Sequence, residues 1–182
     1  MSRALVVIDI QKDYFPGGRM ELVGTEAASQ RARELIDAFR AGGEPLFHVQ
    51  HVIEGPDAPF FAAGSEGVEI HPNVAPLDGE PVIVKNSPNA FKDTSLLADL
   101  RGLGVSDVVL CGMMTSMCVD ASARAATDLG FATLLAADAC AAPDLRSGDE
   151  VIGGATVHKA FVAALGSMVA EVHDASELVA NA

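Results

Sequence analysis

Six short apolar runs alternate with helical patterns along this chain, and that alternation restricts its fold more than any other feature. The runs are Ala4 to Asp9, Pro45 to Val52, Pro81 to Lys85, Asp107 to Gly112, Ala132 to Ala137 and Met168 to Val172. Between most of them lie segments with helical spacing of apolar residues: Thr25 to Ala41, Thr94 to Leu103, Ser116 to Leu129 and roughly Ser147 to Leu165. Strands this continuously apolar have no wet face. They belong to a mostly parallel sheet covered on both sides by its crossover helices, a doubly wound, three-layer α/β/α architecture. Gly42-Gly43, Gly104 and Gly130 stand where helix C-terminal signals belong and fix three boundaries independently. With 182 residues, 49% of them hydrophobic, the chain suffices for one core and is short for two, so residues 1–182 read as one domain.

Composition narrows the function. The net charge is −13 and the basic residues are scattered singly, unlike the concentrated positive face of a nucleic-acid or anionic-membrane binder. Three cysteines without CxxC spacing argue against a disulfide framework and for a reducing compartment. The first apolar run, Ala4 to Ile8, is too short for a signal peptide or a membrane span. The expectation is a cytoplasmic protein with a small-molecule substrate and neither a nucleic-acid nor a membrane partner.

The segment DVVLCGMMTSMCVDASARAATDLGF, residues 107–131, carries the chemistry. A buried strand breaks at Gly112, Thr115-Ser116 offers N-cap candidates, and Cys118 falls in the first turn of an alanine-rich helix. Unpaired N–H groups and the helix dipole there favour thiolate over thiol, which suits a nucleophile. Cys111 and Cys140, set in apolar strands, fit an inert buried role. Open parallel sheets bind ligands beyond the carboxyl ends of their strands. Two other polar residues close apolar strands at that rim: Asp9 after LVVI and Lys85 after PVIV. A thiol nucleophile needs a base, and a carboxylate base needs a cation to steady it. The excursion Glu54 to Glu80 holds four glycines and four prolines in 27 residues and shows no sustained period. Loops of this kind serve as lids, pocket walls or subunit contacts, and its Pro59-Phe60-Phe61 suits a wall or an interface.

VVIDIQKDYF near the start, PVIVKNSPNAFKDTSL in the middle and GMMTSMCVDASARAATDLGF later occur in the order found in the isochorismatase-like cysteine hydrolase superfamily, which includes nicotinamidases and N-carbamoylsarcosine amidohydrolases. The chain resembles that superfamily over nearly its whole length. The resemblance implies a sheet order of 3-2-1-4-5-6 and a catalytic triad of Asp9, Lys85 and Cys118. It also implies a non-proline cis peptide between Met113 and Met114, with the amides of Met114 and Cys118 forming an oxyanion hole. Under that order Lys85 sits two strand spacings, about 9 to 10 Å, from Asp9, a gap only a long side chain can cross.

The resemblance implies a cofactor-free hydrolase of a small amide, ureido or related C–N bond, acting through a thioester. Two other readings are isochorismatase-type vinyl-ether hydrolysis, which needs no cysteine, and a non-catalytic binding or redox thiol protein of the same fold. Tyr14, Phe15, Asn89, Phe91, Met114 and Met117 lie near the motifs and are pocket candidates, although such residues serve equally well in packing. Nicotinamidases carry an Asp-x-His pair and a later His for a divalent ion. This chain has His48-Val49-Gln50-His51 and His71 instead, and alternation puts His48 and His51 on opposite strand faces, so no functional metal is expected. His158 and His173 lack partner motifs and read as surface or capping groups. The small residues Ala121 to Ala126 and Gly153-Gly154 permit close packing, and a homo-oligomer is expected.

Overall fold

The computed structural model describes residues 2–180. Its principal sheet is parallel, built from β1 (Arg3–Ile8), β2 (Leu46–His51), β3 (Val82–Lys85), β4 (Asp107–Met113), β5 (Ala132–Ala141) and β8 (Glu171–His173), in the order β3-β2-β1-β4-β5-β8. In sheet strands alone this is 3-2-1-4-5-6. The sixth strand is β8 because a small antiparallel hairpin, β6 (Leu145–Ser147) and β7 (Glu150–Ile152), intervenes in the chain.

The strands alternate between two buried surfaces. In β1, Leu5 and Val7 join one hydrophobic cluster while Ala4, Val6 and Ile8 join the other, as period-2 geometry requires of a strand with no solvated face. The first cluster is completed by α1 (Thr25–Gly42), through Ala32, Leu35, Ile36 and Phe39, and by Leu178 of α5 (Ala175–Ala180). The second is completed by Leu96 and Leu100 of α2 (Leu96–Gly102), Ala123 and Ala126 of α3 (Asp120–Asp128) and Leu165 of α4 (Gly154–Met168). The alanines of α3 let its backbone lie close to the sheet. Gly43 ends α1 with φ 65°, a conformation that other residues adopt at a cost. No helix among the described residues is long and apolar enough to cross a membrane.

Several boundaries differ from the sequence expectation, among them the start of α3, which is Asp120 and not Ser116. The pattern from Ser147 is not helical at its start: the hairpin occupies residues 145–152 and α4 begins at Gly154. Met168 ends α4 rather than opening a strand, and the edge strand runs only from Glu171 to His173. Helical and strand patterns abut there, and apolar content alone does not separate them. β5 extends to Ala141 past a register shift in its pairing with β4 between Leu110 and Gly112. Helix α5, whose first N–H at Ala175 is received by Asp138 at 2.7 Å, had no recognisable period in six residues.

Gly112 positions everything beyond β4. It pairs with Ile8 of β1 and has φ 129°, and a Cβ added there would collide with the Ile8 carbonyl oxygen. That close approach is what brings the turn after β4 over the end of β1. Gly112→Ala is expected to lower unfolding free energy by on the order of 3 kcal/mol, combining backbone strain with the clash; urea denaturation followed by circular dichroism measures it.

Candidate active site

Asp9, one residue past β1, has φ 49°, a left-handed conformation that Asp tolerates better than most side chains. It lies at the carboxyl end of the central strand and is completely buried. Lys85 ends β3, two strands away, and its stem crosses the end of β2 to bring Nζ within 2.7 Å of Asp9 Oδ2. Cys118 arrives from the other side. It sits in a π-helical turn, Thr115–Val119, between β4 and α3, with Sγ 3.3 Å from Lys85 Nζ. Three residues separated by 76 and 33 positions in sequence therefore meet at one mouth of the sheet.

Local details of the turn differ from the expected cap. The N-cap position is Met114, and no side chain caps the turn. Thr115 Oγ1 instead pairs with Nδ1 of His158 on α4 at 2.9 Å, so the half-buried His158 fastens the turn from outside. The Met113–Met114 peptide is cis.

Burial reverses the expectation of a resting thiolate. Removal from water and the neighbouring Asp9 carboxylate together push the Cys118 thiol well up, outweighing the Lys85 ammonium that draws it down. The resting group is the thiol. Asp9 is raised by burial and partly drawn back by Lys85. Lys85 Nζ makes aligned hydrogen bonds to Ser87 O at 2.9 Å, His51 Nδ1 at 3.0 Å and Cys118 Sγ at 3.3 Å. Its 2.7 Å contact with Asp9 is an ion pair without hydrogen-bond alignment, so neither buried Asp9 oxygen has an aligned donor. A buried carboxylate with unfilled lone pairs beside a protonated thiol is a proton acceptor in waiting.

His51 is the residue that sequence reasoning missed. It ends β2 and is the register partner of Lys85. Its Nδ1 is 3.8 Å from both Cys118 Sγ and Asp9 Oδ2. Burial and the Lys85 charge lower its pKa to about 4, so the ring is neutral at ordinary pH. The signal was present: His51 is a polar residue closing an apolar strand at the same rim as Asp9 and Lys85. His48, on the opposite face, pairs with Glu80 at 3.0 Å, and His71 stacks on Phe15 at 3.6 Å between ring centroids. These three histidines do not converge on a shared ion. Asp9, His51 and Cys118 do have ligand-type atoms within 4.8 Å of one another, but the Lys85 ammonium lies within hydrogen-bonding distance of all three, where a cation would have to sit.

An aromatic group walls the site. Tyr14 packs on Phe61 at 4.5 Å and on Phe60 at 6.0 Å, and His51 lies 6.1 Å from Phe61. Burial, Asp9 and Cys118 push the Tyr14 phenol well up, which keeps it neutral beside the acid and the thiol. Asp13 holds this wall, accepting from Phe61 N at 2.6 Å and Arg19 N at 3.2 Å. The Glu54 to Glu80 excursion is thus folded onto the site, and Phe61 is buried in its wall. Cys118 itself is 2% exposed. Of the apolar residues nearby, Phe60 is half-buried and Met117 is exposed. Among the other pocket candidates, Phe15 stacks on His71, Asn89 Oδ1 accepts from Phe91 N at 2.9 Å, and the Phe91 ring lies 6.1 Å from that of Phe131.

Residues 3–181 match the isochorismatase domain model. The chain belongs to the isochorismatase family. The isochorismatase family protein YddQ of Bacillus subtilis is 48% identical over 172 residues, covering 94% of this chain and 96% of that one. A solved isochorismatase-family structure from Oleispira antarctica is 44% identical, covers 98% of this chain and 96% of its own, and superposes with a TM-score of 0.94. Maleamate amidohydrolase of Pseudomonas putida is 34% identical over 149 residues, covering 72% of this chain and 68% of its own. This isochorismatase-family chain therefore shares its architecture with hydrolases, some of which are amidases.

Among the described residues the Lys85 ammonium is the cation that meets Asp9, which makes its removal informative. Lys85→Met is expected to cost about 3 to 5 kcal/mol at pH 7, since it leaves a buried carboxylate without its partner. Loss of the ammonium moves the Asp9 carboxyl further up, so the folded variant takes up a proton at higher pH than the unfolded chain. The deficit relative to the parent should therefore shrink as pH falls from 7 towards 5. Urea denaturation of both proteins across that range checks the sign, and a deficit that widens on acidification contradicts it.

Proposed function

We propose that this protein is a cysteine-dependent hydrolase of a small amide, ureido or related C–N bond, working through a thioester on Cys118. The observation that carries the reading is the arrangement of the buried thiol, which stands beside an Asp9 carboxylate lacking aligned donors while a Lys85 N–H points at its sulfur. Similarity to maleamate amidohydrolase supports the C–N class.

In the first step the Cys118 thiol proton moves to Asp9 as Sγ bonds the substrate carbonyl carbon, and the Lys85 N–H stabilises charge on sulfur during the transfer. The carbonyl oxygen becomes an oxyanion received by the backbone N–H groups of Met114 and Cys118. Asp9 returns the proton to the leaving nitrogen as the C–N bond breaks, releasing ammonia or an amine and leaving the thioester. Asp9, again a carboxylate, takes a proton from water as its oxygen attacks. Collapse of this second tetrahedral species expels the sulfur, which regains that proton, and releases the acid. No redox cofactor or metal enters the balance. The low exposure of Cys118 suits a small amide better than a polymer.

Cys118→Ala is expected to reduce ammonia release across an amide panel by at least about 10³-fold while leaving the fold intact. Intact-mass spectrometry of the parent, quenched during turnover, should show an acyl adduct, and fragment-ion sequencing should place it on Cys118. Undiminished hydrolysis by Cys118→Ala overturns the mechanism. Cleavage of isochorismate that survives the same substitution would assign vinyl-ether hydrolysis instead.

A further inference from the structure

We propose that His51 is a positioning residue for Lys85: by accepting one ammonium N–H at Nδ1, it fixes the rotation of that group so that another N–H points at Cys118 Sγ instead of at Asp9. An ammonium has three hydrogens, and four acceptors surround this one: Asp9 Oδ2 at 2.7 Å, Ser87 O at 2.9 Å, His51 Nδ1 at 3.0 Å and Cys118 Sγ at 3.3 Å. The nearest of these, and the one with the strongest intrinsic attraction, is the carboxylate. It is nevertheless the one without an aligned bond. His51 and Ser87 O take two hydrogens and leave the third directed at sulfur, the weakest acceptor of the four.

Two features of the chain equip His51 for this task. Its backbone is clamped by Gln11, whose Oε1 accepts from His51 N at 2.8 Å and whose Nε2 donates to His51 O at 2.9 Å, so the main chain that carries the ring is held independently of its bond to Lys85. The ring is neutral, with its Nδ1 lone pair free to accept, because burial and the ammonium itself oppose protonation. Without the imidazole acceptor, the freed N–H turns to Asp9. The sulfur then loses its donor, and the carboxylate loses the unfilled lone pairs that make it a base. His51 thus acts on the thiol through Lys85.

This inference rests on Cys118 being the nucleophile, and its test needs no substrate. Iodoacetamide forms an S–C bond with Cys118 and expels iodide while the thiol proton passes through Asp9 to water, and fragment-ion sequencing of the peptide separates that product from reaction at the buried Cys111 and Cys140. The rate is compared at pH 7.5 in the full chain, in His51→Phe and in His51→Asn, whose Oδ1 occupies nearly the place of Nδ1. Thermal midpoints are recorded alongside, and His51→Leu serves as a second acceptor-free variant should His51→Phe not fold. The acceptor-free variant should react about tenfold or more slowly, as expected for one lost hydrogen bond to a charged group, while His51→Asn stays within about threefold of the parent. Equal rates in parent and acceptor-free variant, or equal slowing in both variants at unchanged thermal midpoints, overturn the proposal. Failure of the amide-hydrolase reading would appear separately, as absent ammonia release from a parent protein whose alkylation still depends on His51.

Discussion

A buried ion pair organises this molecule. Asp9 and Lys85 are each almost wholly removed from water and meet at 2.7 Å. Desolvating two such charges costs several kcal/mol per ion, and only good geometry with further hydrogen bonds offsets it. Those bonds are supplied to the ammonium by His51, Ser87 and Cys118, not to the carboxylate. The asymmetry leaves stabilisation on the lysine side and unmet proton affinity on the aspartate side. The pair also ties chemistry to topology, since Lys85 reaches Asp9 only because β2 alone separates β3 from β1 and the lysine stem is long enough to cross it.

The surroundings make that pair consequential. Gly112 allows β4 to approach β1 closely enough for the following turn to set Cys118 over Asp9. Asp13 then draws Phe61 and its excursion across the front. Asp13 is itself pressed by Gly18 and Gly67, neither of which has room for a Cβ. The irregular stretch between β2 and β3 is therefore a wall, held at Phe61 by Asp13 and at Val68 by Gln11 and Gln50. Burial raises both the thiol and Asp9, and the Asp9 carboxylate raises the thiol further.

Much of this was legible in the chain. Alternating apolar strands and helical patterns gave the layered parallel sheet, and the glycines after α1, α2 and α3 marked real helix ends. Asp9, Lys85 and Cys118 were recognisable as polar closures of apolar segments, and the structure brings their side chains together. The same rule applied to β2 would have found His51, whose value depends on being Lys85's neighbour in register. Gln11 and Asp13 lay inside a recognised motif, but their partners are 40 and 48 residues away. No local pattern encodes such pairings. The hairpin at residues 145–152 was missed because its short, exposed strands carry no buried alternation.

The sequence by itself determined the layered architecture and the residue types available for chemistry, because hydrophobic period and strand-closing polar residues are local properties of the chain. It did not determine the protonation state of the thiol. Helix-terminus reasoning pointed to thiolate, and burial next to Asp9 decided for the thiol. Only tertiary structure sets how much water is excluded and which charges share the space, and in a site of low dielectric those two quantities outweigh the field of a single helical turn.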